Sequence, residues 1–196
     1  ILIGIQNHLS ATVLIVLIVS VLMLMAGSRL RYFLTIGLSG ATLGGAALFI
    51  YAKLTGEGLF RIQRLVTFLD PFADTQGAGW QIIQSLYAIG PGGLFGLGLG
   101  NSIQKHFYLP EPQTDFIFSI ISEEFGFFGI VLIITLFFIL FTNTIKISIT
   151  CENLFGKYLS FGLIMGIILQ MILNICVVIG LVPVTGVTLP FISYGG

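Results

Sequence analysis

Four stretches of this 196-residue chain are each apolar for long enough to cross a membrane: about 9–26, 32–52, 125–145 and 158–180. A hydrocarbon core of about 30 Å calls for a helix of about 20 residues, and a segment that spans lipid alone satisfies its own backbone groups only as a helix. Composition agrees. Charged residues make up 8% of the chain and hydrophobic residues 56%, with a mean hydropathy of +1.07, whereas roughly a quarter of an ordinary soluble domain is charged. The expected class is an all-α polytopic membrane protein. The chain opens inside an apolar run and stops at Ser193-Tyr194-Gly195-Gly196, and so reads as a fragment of a single membrane domain.

The eight basic and eight acidic residues cancel and form no runs, which gives no support to nucleic-acid binding or a polybasic lipid anchor. Cys151 lies in a polar linker and Cys176 inside an apolar run, so they read as separate thiols. Arg29 and Arg31 lie between the first two spans, and Lys146 and Lys157 flank the link between the last two. The positive-inside rule puts both connections in the cytoplasm and the large loop, about 53–124, outside.

That loop holds eleven of the sixteen charged residues and the only Trp. Residues 60–69 and 80–89 have apolar positions at helical spacing, as in short amphipathic or half-inserted helices. Asp70-Pro71 should end the first of them. The run Gly90-Pro91-Gly92-Gly93-Leu94-Phe95-Gly96-Leu97-Gly98-Leu99-Gly100 reads as irregular backbone with a packing or re-entrant role. It lacks the Lys-Ser/Thr ending of a nucleotide loop. After the fourth span, Pro183, Gly186 and Pro190 interrupt a further apolar stretch, so 181–196 is expected to be re-entrant or broken.

Chemistry concentrates in Leu109-Pro110-Glu111-Pro112-Gln113-Thr114-Asp115-Phe116-Ile117-Phe118 and in Glu123-Glu124, where four carboxylates meet the membrane surface. Ionisable groups at that depth are expensive and usually functional. Glu123 and Glu124 read either so, or as solvated acids favoured at a helix N-terminus. Phe116, Ile117 and Phe118 would partly strip water from the Asp115 carboxylate and strengthen it as a base; the alternative is an N-cap Asp. Lys105, His106, Arg61 and Arg64 are cations able to clamp a phosphate, or to pair internally with Asp70, Asp74 or Glu57. His8 and His106 have no partner at metal-ligand spacing, so no zinc site is expected.

Phe68-Leu69-Asp70-Pro71, Gly79-Trp80-Gln81-Ile82-Ile83-Gln84-Ser85-Leu86, Gly98-Leu99-Gly100-Asn101-Ser102-Ile103-Gln104-Lys105, the acidic stretch, Glu123-Glu124 and the final Leu189-Pro190-Phe191-Ile192-Ser193-Tyr194-Gly195-Gly196 occur here in one order. In that order they resemble the SEDS family, FtsW, RodA and SpoVE. Gly79-Trp80-Gln81, Thr188-Leu189-Pro190 and His8-Leu9-Ser10 look like its division or sporulation branch. Asn7 and Pro91 depart from the usual Pro and Ser.

The resemblance implies a SEDS-type bundle of ten spans, four of them whole here, in the bacterial plasma membrane. It implies a peptidoglycan glycosyltransferase that joins lipid II, an undecaprenyl-pyrophosphate disaccharide-peptide, into β-1,4 glycan on the outer face. The partners it implies are a class B penicillin-binding transpeptidase and divisome proteins. The family's essential Asp falls at Asp115, the expected base on the acceptor hydroxyl. The developing pyrophosphate charge would be met by Lys105, Arg61 and Arg64, or by a divalent cation, Mg2+ or Mn2+, held by Asp115 and Glu111. Glu123 and Glu124 join the expected substrate site, and no nucleotide is implied. A lipid II transporter would also suit many spans and broken helices. A non-catalytic scaffold for the transpeptidase would suit the small residues Ser160, Gly162 and Gly166.

Overall fold

The computed structural model describes residues 9–29, 31–32, 35, 37, 40, 42, 70–73, 78–107, 109–110 and 112–194. The expected span at 32–52 and the expected helix at 60–69 fall almost wholly outside them. Among the described residues the regular structure is all helical. The main helices are α1 (Leu9–Met25), α2 (Ala78–Ile89), α3 (Gln104–Phe107), α4 (Ile117–Thr150) and α5 (Leu154–Val178). Two single 3-10 turns, Pro71–Ala73 and Gly90–Gly92, flank α2.

The helix α4 contains the apolar stretch 125–145 and extends past it at both ends. At 1.5 Å per residue its arm beyond Gly126, residues 127–150, is about 36 Å long, more than the hydrocarbon thickness. A break divides α4: Gly126 has φ 62° and ψ −154°, so two helices meet there. The threonine hydroxyls of the longer arm are satisfied along the helix itself. The hydroxyls of Thr135, Thr144 and Thr150 donate to the carbonyls of Val131, Leu140 and Lys146 at 2.7–3.0 Å, as an apolar environment demands.

A tight turn reverses the chain into α5. Asn153 caps it by accepting from the Phe155 N–H at 2.9 Å, and Ser148 Oγ donates to the Lys157 carbonyl at 2.9 Å. Phe118, Ile120, Ile133 and Phe137 of α4 bury themselves against Met171, Val177 and Val178 of α5, with Leu189 beyond. Most other large apolar side chains of the two helices remain exposed, among them Leu132, Leu136, Phe138 and Leu163. These helices are thus not the buried core of a soluble domain.

The small-residue stripe on α5 is occupied within the chain. A Cβ at Gly162 would lie 3.1 Å from Leu22 of α1, and one at Gly166 would lie 3.3 Å from Ile18. Small residues let α1 approach closely, so part of this stripe already packs against α1. Where α5 ends, the buried Ser85 of α2 donates its hydroxyl to the Val178 carbonyl at 2.7 Å. Residues 181–189 then run without helix, and 190–194 form a turn in which Phe191 takes φ 64°.

Candidate functional site

Asp115 stands at the end of a turn, 112–115, that leads into α4. The N-cap position of α4 is Phe116, without a side-chain cap bond, so Asp115 does not occupy the N-cap position. The Phe116 ring is buried and anchors the turn, while Ser119 Oγ donates to the Phe116 carbonyl at 2.7 Å. Asp115 is half-buried. Gly186 borders its carboxylate: a Cβ at Gly186 would sit 3.5 Å from Asp115 Oδ2.

The C-terminal part of the chain closes over this turn. The Asn174 amide donates to the Asp115 carbonyl at 2.8 Å and to the Val187 carbonyl at 2.6 Å. One helical turn earlier, Gln170 Nε2 donates to the Thr188 carbonyl at 3.0 Å. Ser193 Oγ donates to the Thr114 carbonyl at 2.6 Å and accepts from the Leu189 N–H at 2.7 Å, and the Tyr194 N–H donates to the Gln113 carbonyl at 2.9 Å. Sequence reasoning missed Gln170 and Asn174. The signal was there: two amides at i and i+4 share one face of an otherwise apolar helix.

The glycine run and Glu123-Glu124 form a second assembly around the break in α4. The carbonyls of Glu123 and Glu124 accept from the N–H groups of Leu97 and Gly98 at 2.9 and 3.0 Å. The N–H groups of Phe127 and Phe128 donate to the carbonyls of Gly93 and Leu94 at 2.9 and 3.2 Å. The loop therefore supplies the partners that the interrupted helix cannot give itself. Closeness here requires glycine, since a Cβ on Gly96 would sit 2.1 Å from the Glu124 carbonyl oxygen.

Glu123 is 1% exposed. One carboxylate oxygen accepts from Ser102 Oγ at 2.5 Å and the other from the Ile103 N–H at 2.9 Å. Both oxygens are thus engaged within the protein, and α4 begins at Ile117, so neither Glu123 nor Glu124 is a solvated acid in its first turn. The Glu123→Ala protein is expected to lose about 2 kcal/mol of stability, because the buried Ser102 hydroxyl loses its acceptor. Glu123→Gln, which keeps an acceptor oxygen, is expected to lose less. Thermal unfolding of the full-length protein in detergent reads both.

Lys105 Nζ lies 3.8 Å from Glu124 Oε1; of the acids weighed as its internal partners, Asp74 and Glu57 lie outside the described residues. The Lys105 side chain stays partly exposed, with the ammonium available to a second anion. Arg61, Arg64 and Glu111, and the side chain of His106, lie outside the described residues. Among the described residues no group of three or more His, Cys, Asp or Glu side chains is placed to hold a metal ion, and Cys151 and Cys176 are free thiols.

A family model described as "Cell cycle protein", FTSW_RODA_SPOVE, matches residues 1–196. Stage V sporulation protein E of Bacillus subtilis (strain 168) is 51% identical over 176 residues, covering 90% of this chain and 46% of that protein. A probable peptidoglycan glycosyltransferase FtsW of Geobacter sp. (strain M18) is 41% identical over 191 residues, 97% of this chain and 50% of that one. Its counterpart in Coxiella burnetii is 43% identical over 194 residues, again 97% and 50%. A solved structure described as "Structural coordination of polymerization and crosslinking by a peptidoglycan synthase complex" superposes with a TM-score of 0.72 at 28% identity, over 97% of this chain and 51% of that one. The chain thus spans about half the length of the curated relatives it matches. Apolar helices of this length, joined to a match along every residue, make the chain part of a membrane protein, and it belongs to the FtsW/RodA/SpoVE family.

Proposed function

We propose that this chain carries the base of a peptidoglycan glycosyltransferase that polymerises lipid II during division or sporulation. The observation that carries the reading is the setting of Asp115: a half-buried carboxylate beside Gly186, on a turn held at three successive carbonyls. A carboxylate so held can accept a proton from a bound hydroxyl at a fixed point.

In the proposed reaction Asp115 takes the proton from the 4-hydroxyl of the acceptor GlcNAc. That oxygen forms a bond to the anomeric carbon of the donor from the face opposite the leaving group. The bond from that carbon to the pyrophosphate oxygen breaks, its electron pair leaves with undecaprenyl pyrophosphate, and inversion yields a β-1,4 link. Because the leaving group is already a stable anion, the reaction asks less of a general acid than glycoside hydrolysis does. Lys105, with Arg61 and Arg64, would stabilise its charge.

Mg2+ or Mn2+ would fit only as an ion shared with substrate. Mg2+ characteristically binds one or two carboxylates together with substrate phosphates, and Asp115 with Glu111 would supply that pair. Such an ion would draw charge from the pyrophosphate oxygens.

Arg29, Arg31, Lys146 and Lys157 support an orientation with the catalytic loop on the outer face of the plasma membrane of a multi-pass protein. A class B transpeptidase is the proposed partner, in keeping with the solved synthase complex that the chain resembles. The test is polymerisation of labelled lipid II by the full-length protein with that partner in detergent, resolved on a gel. A ladder of glycan products is the expected result. Its absence under conditions validated with an active polymerase, beside movement of lipid II across vesicles, would replace this reading with transport.

A further inference from the structure

Three successive carbonyls, those of Gln113, Thr114 and Asp115, each accept one hydrogen bond from the C-terminal part of the chain. The donors are the Tyr194 N–H at 2.9 Å, Ser193 Oγ at 2.6 Å and Asn174 Nδ2 at 2.8 Å. Two of them are side chains shut away from solvent: Asn174 is 0% exposed and Ser193 7%. Each does two jobs. Asn174 also donates to the Val187 carbonyl at 2.6 Å, which ties α5 and the Asp115 turn to the segment that carries Gly186. Ser193 also accepts from the Leu189 N–H at 2.7 Å, which closes its own turn while it grips Thr114.

A buried primary amide in an apolar helix, here a turn from its C-terminal end, is a costly choice where Leu would pack as well. What it holds here is the main chain of the one half-buried carboxylate in the turn. The bonds to the three carbonyls hold the backbone from which the Asp115 side chain projects. A misplacement of about 1 Å in a catalytic group can cost on the order of 100-fold in rate.

We infer that Asn174 and Ser193 are positioning residues for Asp115: they fix the backbone of 113–115 so that the carboxylate meets the acceptor hydroxyl in a single orientation. This rests on the reading of Asp115 as the base. Neither side chain touches the reacting atoms, so both act on turnover and not on affinity.

The test uses the full-length protein with its transpeptidase partner and labelled lipid II, with kcat and KM measured separately. Asn174→Leu and Ser193→Ala are each expected to lower kcat about 10- to 100-fold with KM within about twofold of wild type. Ser193→Thr restores the hydroxyl and is expected to recover most of the turnover, which a general loss of packing would not predict. Undiminished kcat in folded Asn174→Leu and Ser193→Ala, beside an inactive Asp115→Asn, overturns the positioning role and leaves the base reading intact. A raised KM with kcat retained overturns it too, by assigning the residues to substrate binding. An active Asp115→Asn overturns the base reading and this inference together. Where Asn174→Leu does not accumulate as folded protein, the contrast between Ser193→Ala and Ser193→Thr decides.

Discussion

The Asp115→Asn protein is expected to bind its partner and lipid II but to lose glycan polymerisation by at least about 100-fold in kcat, the lower end of what a positioned general base contributes. The substitution is nearly isosteric. The bond from Asn174 goes to the main-chain carbonyl of Asp115 and not to its side chain, so the turn keeps its anchors when the carboxylate becomes an amide. What disappears is the ability to accept a proton. Asp115→Glu makes the complementary case: it retains the charge but moves it by one methylene from the point at which the turn places it. It too is expected to be strongly impaired, with KM less affected than kcat. Glycan ladders at wild-type rate from Asp115→Asn would remove Asp115 from the chemistry. Ladders lost only from Asp115→Asn would make charge matter more than placement.

Hydropathy made three of the helices legible, because burying backbone in lipid leaves a long apolar run little choice but helix. The runs 9–26, 125–145 and 158–180 overlap α1, α4 and α5. The acidic stretch was legible for a different reason: its residue types are expensive next to an apolar segment, and its order with the flanking motifs resembles one family. What escaped the sequence is tertiary. Glu123 and Glu124 looked like acids at the mouth of a span because the apolar run begins after them. In the structure α4 starts earlier, at Ile117, and the partners of Glu123 are Ser102 and Ile103, some twenty positions away. No local pattern encodes that pairing.

Asn174 and Gln170 were hidden by the opposite effect. Averaging over the fourth span drowns two amides in apolar neighbours, although their spacing places both on one face. The glycine run was readable as irregular, since only glycine adopts some of its conformations. Its purpose was not, because the groups it serves, the carbonyls of Glu123 and Glu124 and the N–H groups of Phe127 and Phe128, become unpaired only once α4 breaks at Gly126.

That break yields the largest structural effect. The Gly126→Ala protein is expected to lose roughly 4 kcal/mol of stability, from two sources that act at the same residue. A φ of 62° with ψ of −154° lies in a region essentially restricted to glycine, where another residue costs on the order of 1–3 kcal/mol. The new methyl carbon would also fall 2.4 Å from the Gly96 nitrogen and 2.7 Å from the Gly92 carbonyl oxygen. These are backbone atoms that cannot swing aside as a side chain could. Relief then requires the loop to lift from the helix, which puts at risk the four bonds to Glu123, Glu124, Phe127 and Phe128, each worth about 1 kcal/mol net. Straightening α4 into a continuous helix would restore partners to those groups but would carry Glu123 away from Ser102 and Ile103. Gly90→Ala is the matched control: a Cβ there meets nothing within 4 Å, and the residue has no positive φ, so its unfolding temperature should stay close to wild type. Thermal unfolding of both full-length proteins in detergent separates the cases. A Gly126→Ala protein as stable as Gly90→Ala would mean that the loop and the break are not locked together, and that Glu123 is held without the glycine run.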